Sequence, residues 1–482
     1  MRGRRGRHPV HRLGLWALAA ALACISRAPA LLSPEALRPL EARAERARGL
    51  HFLEPVQARL VSRGRVEALL AESLGRVYTP ELRRADERVK KTLGLLPADA
   101  DLWEALLDFQ SDAVAGLYAP LDDRLYVVAE AAREPGEALL DRKIDQVLVH
   151  ELVHALQALH SDLIDVTLGL VDHDDLAFAL GALLEGDATW AGYRDDLLSY
   201  GLPMPDPEQV ASDFEASWSG QEDRKVPRLV REGLVLLYPA GYALVTRILD
   251  ARGVVALDAA LLDPPLTSGE VLHPERYLDP SRRGALLFLQ LEAARIAPSP
   301  ECTTVGANTF GEFGLRIWAQ ERGMQRSAAA AAAEGWEADR AVVFDCSTGP
   351  AFAWLMEFAT AAKAREFAET ARRLARQSTR VDNWGSRVLL WTNLSQGGRA
   401  VALLETEGRT FRDLSEYLES RPEILERTRA LRSRFSAGGA EQGHRRPGGT
   451  RCSEGERDLC PDVIHQVAAR EHAREDRRVR DR

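Results

Sequence analysis

Two histidines four positions apart, on a stretch without helix breakers, constrain this chain more than any other feature. The segment Val149-His150-Glu151-Leu152-Val153-His154-Ala155-Leu156-Gln157 carries the pattern HExxH. On a helix, residues four apart share a face about one turn apart, so both imidazoles can reach one metal ion. Glu151 then points into the same cleft without having to be a ligand. Between Glu137 and His160, apolar residues Leu140, Ile144, Val147, Leu148, Leu152, Leu156 and Leu159 recur at threes and fours. That spacing predicts a buried helix. Zinc suits such a pair, because it accepts imidazole nitrogens and keeps an open position for water. The metal would bring the water's pKa down to ~7, with Glu151 taking its proton as general base. The bare motif also occurs on ordinary surface helices, so its weight comes from the core helix around it and from a third ligand.

With 482 residues, 28% charged and 45% hydrophobic, the chain is long enough for two or three domains with a sizeable core. A net charge of -9 argues against a nucleic-acid binder, which would show a basic face. The first thirty residues read as an export signal. Arg2, Arg4, Arg5, Arg7 and Arg12 precede the apolar run Leu13 to Ala23, which is too short to span a bilayer comfortably. Ala21-Leu22-Ala23-Cys24 resembles a lipoprotein processing site, and Ala28-Pro29-Ala30 or Ala21-Leu22-Ala23 could serve ordinary signal peptidase. No later stretch reads as long and apolar enough to cross a membrane. Membrane attachment is therefore expected only through lipid at Cys24, in a periplasmic, outer-membrane or extracellular protein. Four further cysteines permit two disulfides. Proximity pairs Cys452 with Cys460 and leaves Cys302 with Cys346.

Residues 31–100 read as two or three helices that only pack. Ser33-Pro34-Glu35 is a cap-like start, and Val61–Leu74 and Pro80–Leu95 have helical spacing. Ala115 to Val128 reads as two short strands joined by a Pro-Asp-Asp turn. An exposed strand edge beside the motif helix could pair with an extended peptide, although a purely structural hairpin reads equally well.

The third ligand sets the subclass. His160 lies six residues after His154, but Gln157 stands where a glycine would have to let the chain turn back. Glu185 is the stronger candidate. It lies in Leu176–Tyr200, whose Leu180, Leu183, Leu184 and Ala188 predict a buried helical face. A carboxylate within that face is costly unless paired or metal-bound. Asp187 could steady a ligand histidine. The intervening Asp172-His173-Asp174-Asp175 reads as a solvated turn.

HELVHALQ followed by ALLEGDATW resembles the gluzincin group of zinc metallopeptidases, in which HExxH is joined by a Glu on a later helix. LLEGDA is similar to the NEGFA-type segment of zinc aminopeptidases, with Asp187 replacing an aromatic residue. A closer likeness is to exported bacterial and archaeal metallopeptidases of unassigned substrate. These share AGLYAPLDDRLYVV-like, HELVHALQ-like, LLEGDAT-like and PPLTSGEVLHPERY-like segments, over roughly Gly49 to Thr370. The resemblance implies a zincin fold, with His150, His154 and Glu185 as zinc ligands and Glu151 as base. It also implies a later His or Tyr as donor to the oxyanion. Tyr238, Tyr242, His273 and Tyr277 all qualify by position. His273, then Tyr277, is preferred because a loop reaches a cleft more freely than the apolar helix Leu234–Leu249, read as broken near Pro239 and Gly241.

Beyond Gly284, the Ala328–Ala333 run reads as helix, Ala341–Cys346 as strand, and Ala351–Gln377 as helices. Trp336, Trp354 and Trp391 read as core. From about Ala437 the composition turns to Gly, Arg, Glu and His, as in a flexible tail.

The expected fold class is α+β, mostly helical. A zincin-like domain (101–290), with a small sheet beside the motif helix, is flanked by a helical N-terminal region (31–100), a C-terminal α+β region (291–436) and the tail (437–482). The expected function is zinc-dependent hydrolysis of a protein or peptide substrate. The rivals are an inactive binding protein on the same scaffold, and a metal-dependent amidase acting on a nonprotein substrate.

Overall fold

A computed structural model of the chain describes residues 33–111, 116–128, 142–198, 200–218, 226–281 and 286–438. The segment read as an export signal, Cys24, Cys452, Cys460 and most of the charged tail lie outside these residues. The fold is α+β and mostly helical, with three small sheets.

The centre is a stack of long helices. The motif helix, Arg142–His160, buries Leu148, Val149, Leu152, Val153 and Leu156. The return helix, Asp174–Leu198, is buried on nearly every side because helices pack around it. One neighbour is the N-terminal helix, Pro34–Arg48. The Ser33 side chain caps that helix by accepting from Ala36 N, Pro34 occupies its first turn, and left-handed Gly49 ends it. The other is the helix Leu237–Arg252. The apolar stretch does divide near Pro239, at Leu236, so that Pro239 falls within the first turn of this helix, where its missing N–H costs nothing. Gly241 is a packing position rather than a break. A Cβ on it would lie 1.9 Å from the Ala182 carbonyl oxygen, and one on Gly186 would lie 2.1 Å from the Gly241 carbonyl carbon. The two backbones touch because neither residue has a side chain.

With the preceding helix Arg228–Val235, this stretch corrects the reading that no later segment suits a membrane. Arg228–Arg252 is long and apolar enough to cross one, by length and composition. Here Leu244, Val245 and Ile248 are buried in the main core, against the other helices.

Beside the motif helix lies a three-stranded sheet of β1 (Gln57–Val61), β2 (Gly116–Ala119) and β3 (Arg124–Val128), in the order β1-β3-β2. The hairpin is as expected, with Asp123 at φ 55° in its turn and the Tyr118 hydroxyl donating to Asp123 at 2.6 Å. β1 was not anticipated. It lies parallel to β3, so a distant partner rather than local pattern makes it a strand.

The second half carries β4 (Leu286–Gln290), β5 (Thr303–Asn308), β6 (Trp336–Asp345), β7 (Ala351–Phe358), β8 (Arg380–Trp384) and β9 (Arg387–Thr392), followed by β10 (Glu407–Phe411). β5 to β9 form an antiparallel sheet in the order β5-β6-β7-β9-β8, and β4 pairs with β10. Residues 351–358 are therefore strand, not helix. The run AFAWLMEF is buried on both faces, so it lacks the alternation that marks a half-exposed strand. The helix Ala361–Leu374 covers the sheet, burying Phe367 near Trp318 and Phe358. Trp336 and Trp354 are core, and Trp391 is half-buried beside a second apolar cluster. Cys302 and Cys346 form a disulfide across the ends of β5 and β6.

The N-terminal, central and C-terminal regions share one core, which runs from Leu37 to Ile424. Charge pairs tie them together around the start of the return helix. Asp172 meets Arg340 at 2.9 Å and Arg421 at 3.0 Å, Asp174 meets Lys90 at 2.9 Å, and Asp175 is fully buried, accepting from Ser268 N. The acidic turn is thus a partly buried, charge-paired junction rather than a solvated loop, because cations distant in sequence converge on it. Between those acids, His173 accepts from Leu176 N through Nδ1, a role that requires the neutral ring. Burial, reinforced by Arg340, lowers its pKa to about 3.

An unfolded histidine titrates near 6.5. Between that value and about 3, the unfolded chain binds the extra proton, so His173 contributes stability above pH ~6.5 that is lost as pH falls through this window. Thermal melts from pH 7 to pH 4 should show a shallower acid decline for His173→Asn than for wild type.

Candidate metal centre

The helix crossing brings three ligand-type atoms to one point. His150 Nε2 lies 3.2 Å from Glu185 Oε2, His154 Nε2 lies 3.4 Å from the same oxygen, and the two Nε2 atoms are 3.1 Å apart. Among the described residues this is the one cluster of three His, Cys, Asp or Glu side chains suited to a metal ion. Donors held by zinc at about 2.0–2.1 Å in a tetrahedron sit about 3.3–3.4 Å from one another. The observed separations match that edge, and the two-imidazole, one-carboxylate set suits zinc.

Electrostatics at the cluster favour a positive charge. Burial opposes a charged His154, yet Glu185 beside it raises the pKa to about 9. Burial likewise opposes the Glu185 carboxylate, but His154 and His150 hold its pKa well below the usual range. Metal binding at the cluster would compete with protonation of His154.

Glu151 is close to the cluster but outside it. Its Oε2 accepts from the N–H of Tyr118 on β2 at 2.7 Å, which fixes the carboxylate beside the strand. Burial raises its pKa, partly offset by the two histidines and the Tyr118 N–H. A raised carboxylate pKa brings a base nearer to neutral operation.

These side chains line a cleft of about 610 Å³, walled by apolar Leu117, Ile164, Leu184, Phe214 and Leu237 together with strand β2. Tyr238 lines it too. Its ring stacks on His150 with centroids 6.1 Å apart, and Phe214 backs it at 5.3 Å. The Glu185 charge, then burial, raise the Tyr238 pKa far above the ordinary phenol value, so the hydroxyl keeps its proton.

The structure brings together His150, His154, Glu185 and Glu151. His273 and Tyr277 are not among the cleft-lining residues. His273 Nε2 lies 2.8 Å from buried Glu312, beside Arg276 and Arg316, and the Tyr277 hydroxyl donates to the Asp263 carbonyl at 2.8 Å. The segment expected to be a loop is two short helices, Ser268–Leu272 and Pro274–Leu278, with His273 at their junction and Tyr277 within the second, and these partners fix it. Tyr238 instead reaches the cleft because the glycine contact lets its helix approach. Tyr242 points elsewhere, donating to the Pro205 carbonyl. His160 faces the His51 carbonyl at 3.0 Å. Two contacts near the cluster carried no sequence signal: the Tyr118 N–H beside Glu151, and the Oε1 of buried Gln157, read only as a helix former, 2.8 Å from His154 Nδ1.

A family model for a domain of unknown function, DUF8575, matches residues 301–416, a segment that contains the five-stranded sheet and none of the cluster residues. No curated protein matches the chain. Among solved structures, the chain is similar to a protein from Chloroflexus aurantiacus described as a proposed hydrolase with a novel fold. The identity is 19%, with 51% of this chain and 87% of that one covered, at a TM-score of 0.32.

A donor set this closely spaced predicts metal-dependent stability. Zinc added at a thousandfold excess over its Kd should stabilise the metal-free protein by about 4 kcal/mol, read as a rise in Tm, and His154→Ala should abolish the rise.

Proposed function

We propose that this chain is an exported zinc-dependent peptidase of the gluzincin kind, acting on a protein or peptide. The observation that carries this reading is the Glu151 carboxylate, held beside the three-ligand cluster but outside it, at the floor of an apolar cleft. A scaffold protein has no use for a base at that position.

His150, His154 and Glu185 would hold the zinc ion, which when bound supplies Lewis acidity and lowers the pKa of water to ~7. The chain's own groups do the rest. Glu151 takes a proton from the attacking water and passes it to the leaving amine nitrogen. The Tyr238 hydroxyl, kept protonated by its surroundings, donates to the carbonyl oxygen as negative charge develops there. Tyr238 thus takes the role expected of His273 or Tyr277. β2 is the edge strand of its sheet, and Gly116, Leu117 and Tyr118 on it line the cleft, so an extended peptide can lie along it. The Cys302–Cys346 disulfide supports an oxidising compartment.

Digestion of a broad peptide library by the zinc-loaded protein, with products read by mass spectrometry, tests the reading. Glu151→Gln should lose turnover while binding zinc as wild type does; full activity in that variant would remove Glu151 as the base. Tyr238→Phe should lower kcat about 10²–10³-fold with little change in zinc content.

A further inference from the structure

His154 Nδ1, the ring nitrogen turned away from the cluster, lies 2.8 Å from Gln157 Oε1. Which atom carries the proton follows from the other end of the Gln157 amide. Its nitrogen donates to the Leu184 carbonyl at 2.9 Å and to Asp187 Oδ2 at 3.0 Å, and both partners accept only. The amide therefore has one workable orientation, with its oxygen facing His154. An oxygen there requires a proton on Nδ1, which leaves the Nε2 lone pair for the cluster.

Asp187 is held in turn. It is fully buried, and Arg48 Nε pairs with its other oxygen at 2.6 Å. Arg48 is itself fully buried at the end of the N-terminal helix, and its Nη1 reaches Asp258 Oδ1 at 2.6 Å. A buried arginine between two carboxylates is a fixed post, since withdrawing either partner would leave a charge without water.

We propose, resting on the metal-centre reading above, that Gln157 is the positioning residue for His154. Asp187 and Arg48 hold its amide, which makes the N-terminal helix a permanent member of the centre rather than a removable prosegment. The arrangement turns a helix-forming glutamine into the element that sets a ligand's tautomer. It also gives buried Asp187 and Arg48 a task beyond packing.

The test measures zinc affinity of the full-length chain by competition with a chromophoric chelator, alongside the visible spectrum of the cobalt-loaded protein. Gln157→Leu is expected to bind zinc about 10–100-fold more weakly and to change the cobalt spectrum. The charge-conserving swap Gln157→Glu with Asp187→Asn again offers an oxygen to Nδ1, and the new amide at position 187 can donate to the other carboxylate oxygen. It is expected to restore affinity and spectrum. Wild-type affinity in Gln157→Leu would overturn the proposal, as would equal weakening in the leucine variant and the swap, which marks a loss of packing alone. Should Gln157→Leu fail to fold, the swap decides: wild-type zinc binding supports the proposal and lost binding overturns it. A wild-type chain that binds no zinc would overturn the metal-centre reading and this proposal with it, an outcome distinct from all the others.

Discussion

A carboxylate inside an apolar helix bundle must be answered by positive charge, and the centre of this protein is arranged around that requirement. Glu185 sits on a helix buried along most of its length, where water cannot solvate it freely. The motif helix answers with two imidazoles at helical spacing, and the Leu237–Arg252 helix answers with a phenol that keeps its proton. Each answer needs close approach. The Gly186–Gly241 contact supplies it on one side, and the small residues Ala44 and Ala47 of the N-terminal helix line the core on another. Packing and electrostatics are thus one constraint here: a bulkier residue at the crossing would separate Tyr238 from Glu185 as well as open a gap.

The parts legible in the sequence were those with a local physical signature. A helix with HExxH has a period, and Glu185 stood out because a charged residue interrupted an apolar face. The hairpin was marked by its turn residues, and the N-terminal helix by Ser33 and Pro34. What escaped was set by distant partners. β1 is a strand because β3 lies beside it, and β7 lost its alternation because both faces are covered. Asp172, Asp174 and Asp175 read as solvent-facing until Arg340, Arg421, Lys90 and Ser268 were seen to converge on them. Tyr238 and His273 were equally placed by order along the chain. Only the glycine crossing and the Glu312 pairing separate them, and neither leaves a mark in local composition.

Gln157 shows the same limit at one residue. Alone, a glutamine late in a helix is an ordinary helix former. Its meaning comes from Leu184 and Asp187 on the neighbouring helix, which orient its amide, and from Arg48, far earlier in the chain. A short motif can thus mark the candidate ligands while the groups that orient them are scattered over the sequence.

The two helices that bear the cluster lie mid-chain, yet both ends close around them. Arg48 reaches Asp187 from one end. From the other, the helix Glu423–Gly438 packs on Leu163–Gly169, where Thr428 donates to the Asp165 carbonyl at 2.8 Å and a Cβ on Gly169 would meet the Ile424 carbonyl oxygen at 2.4 Å. Synthesis runs in one direction, so a chain leaving the ribosome presents its histidines well before the closing helix exists. The contacts of Glu423–Gly438 can therefore form only after both cluster-bearing helices have been synthesised.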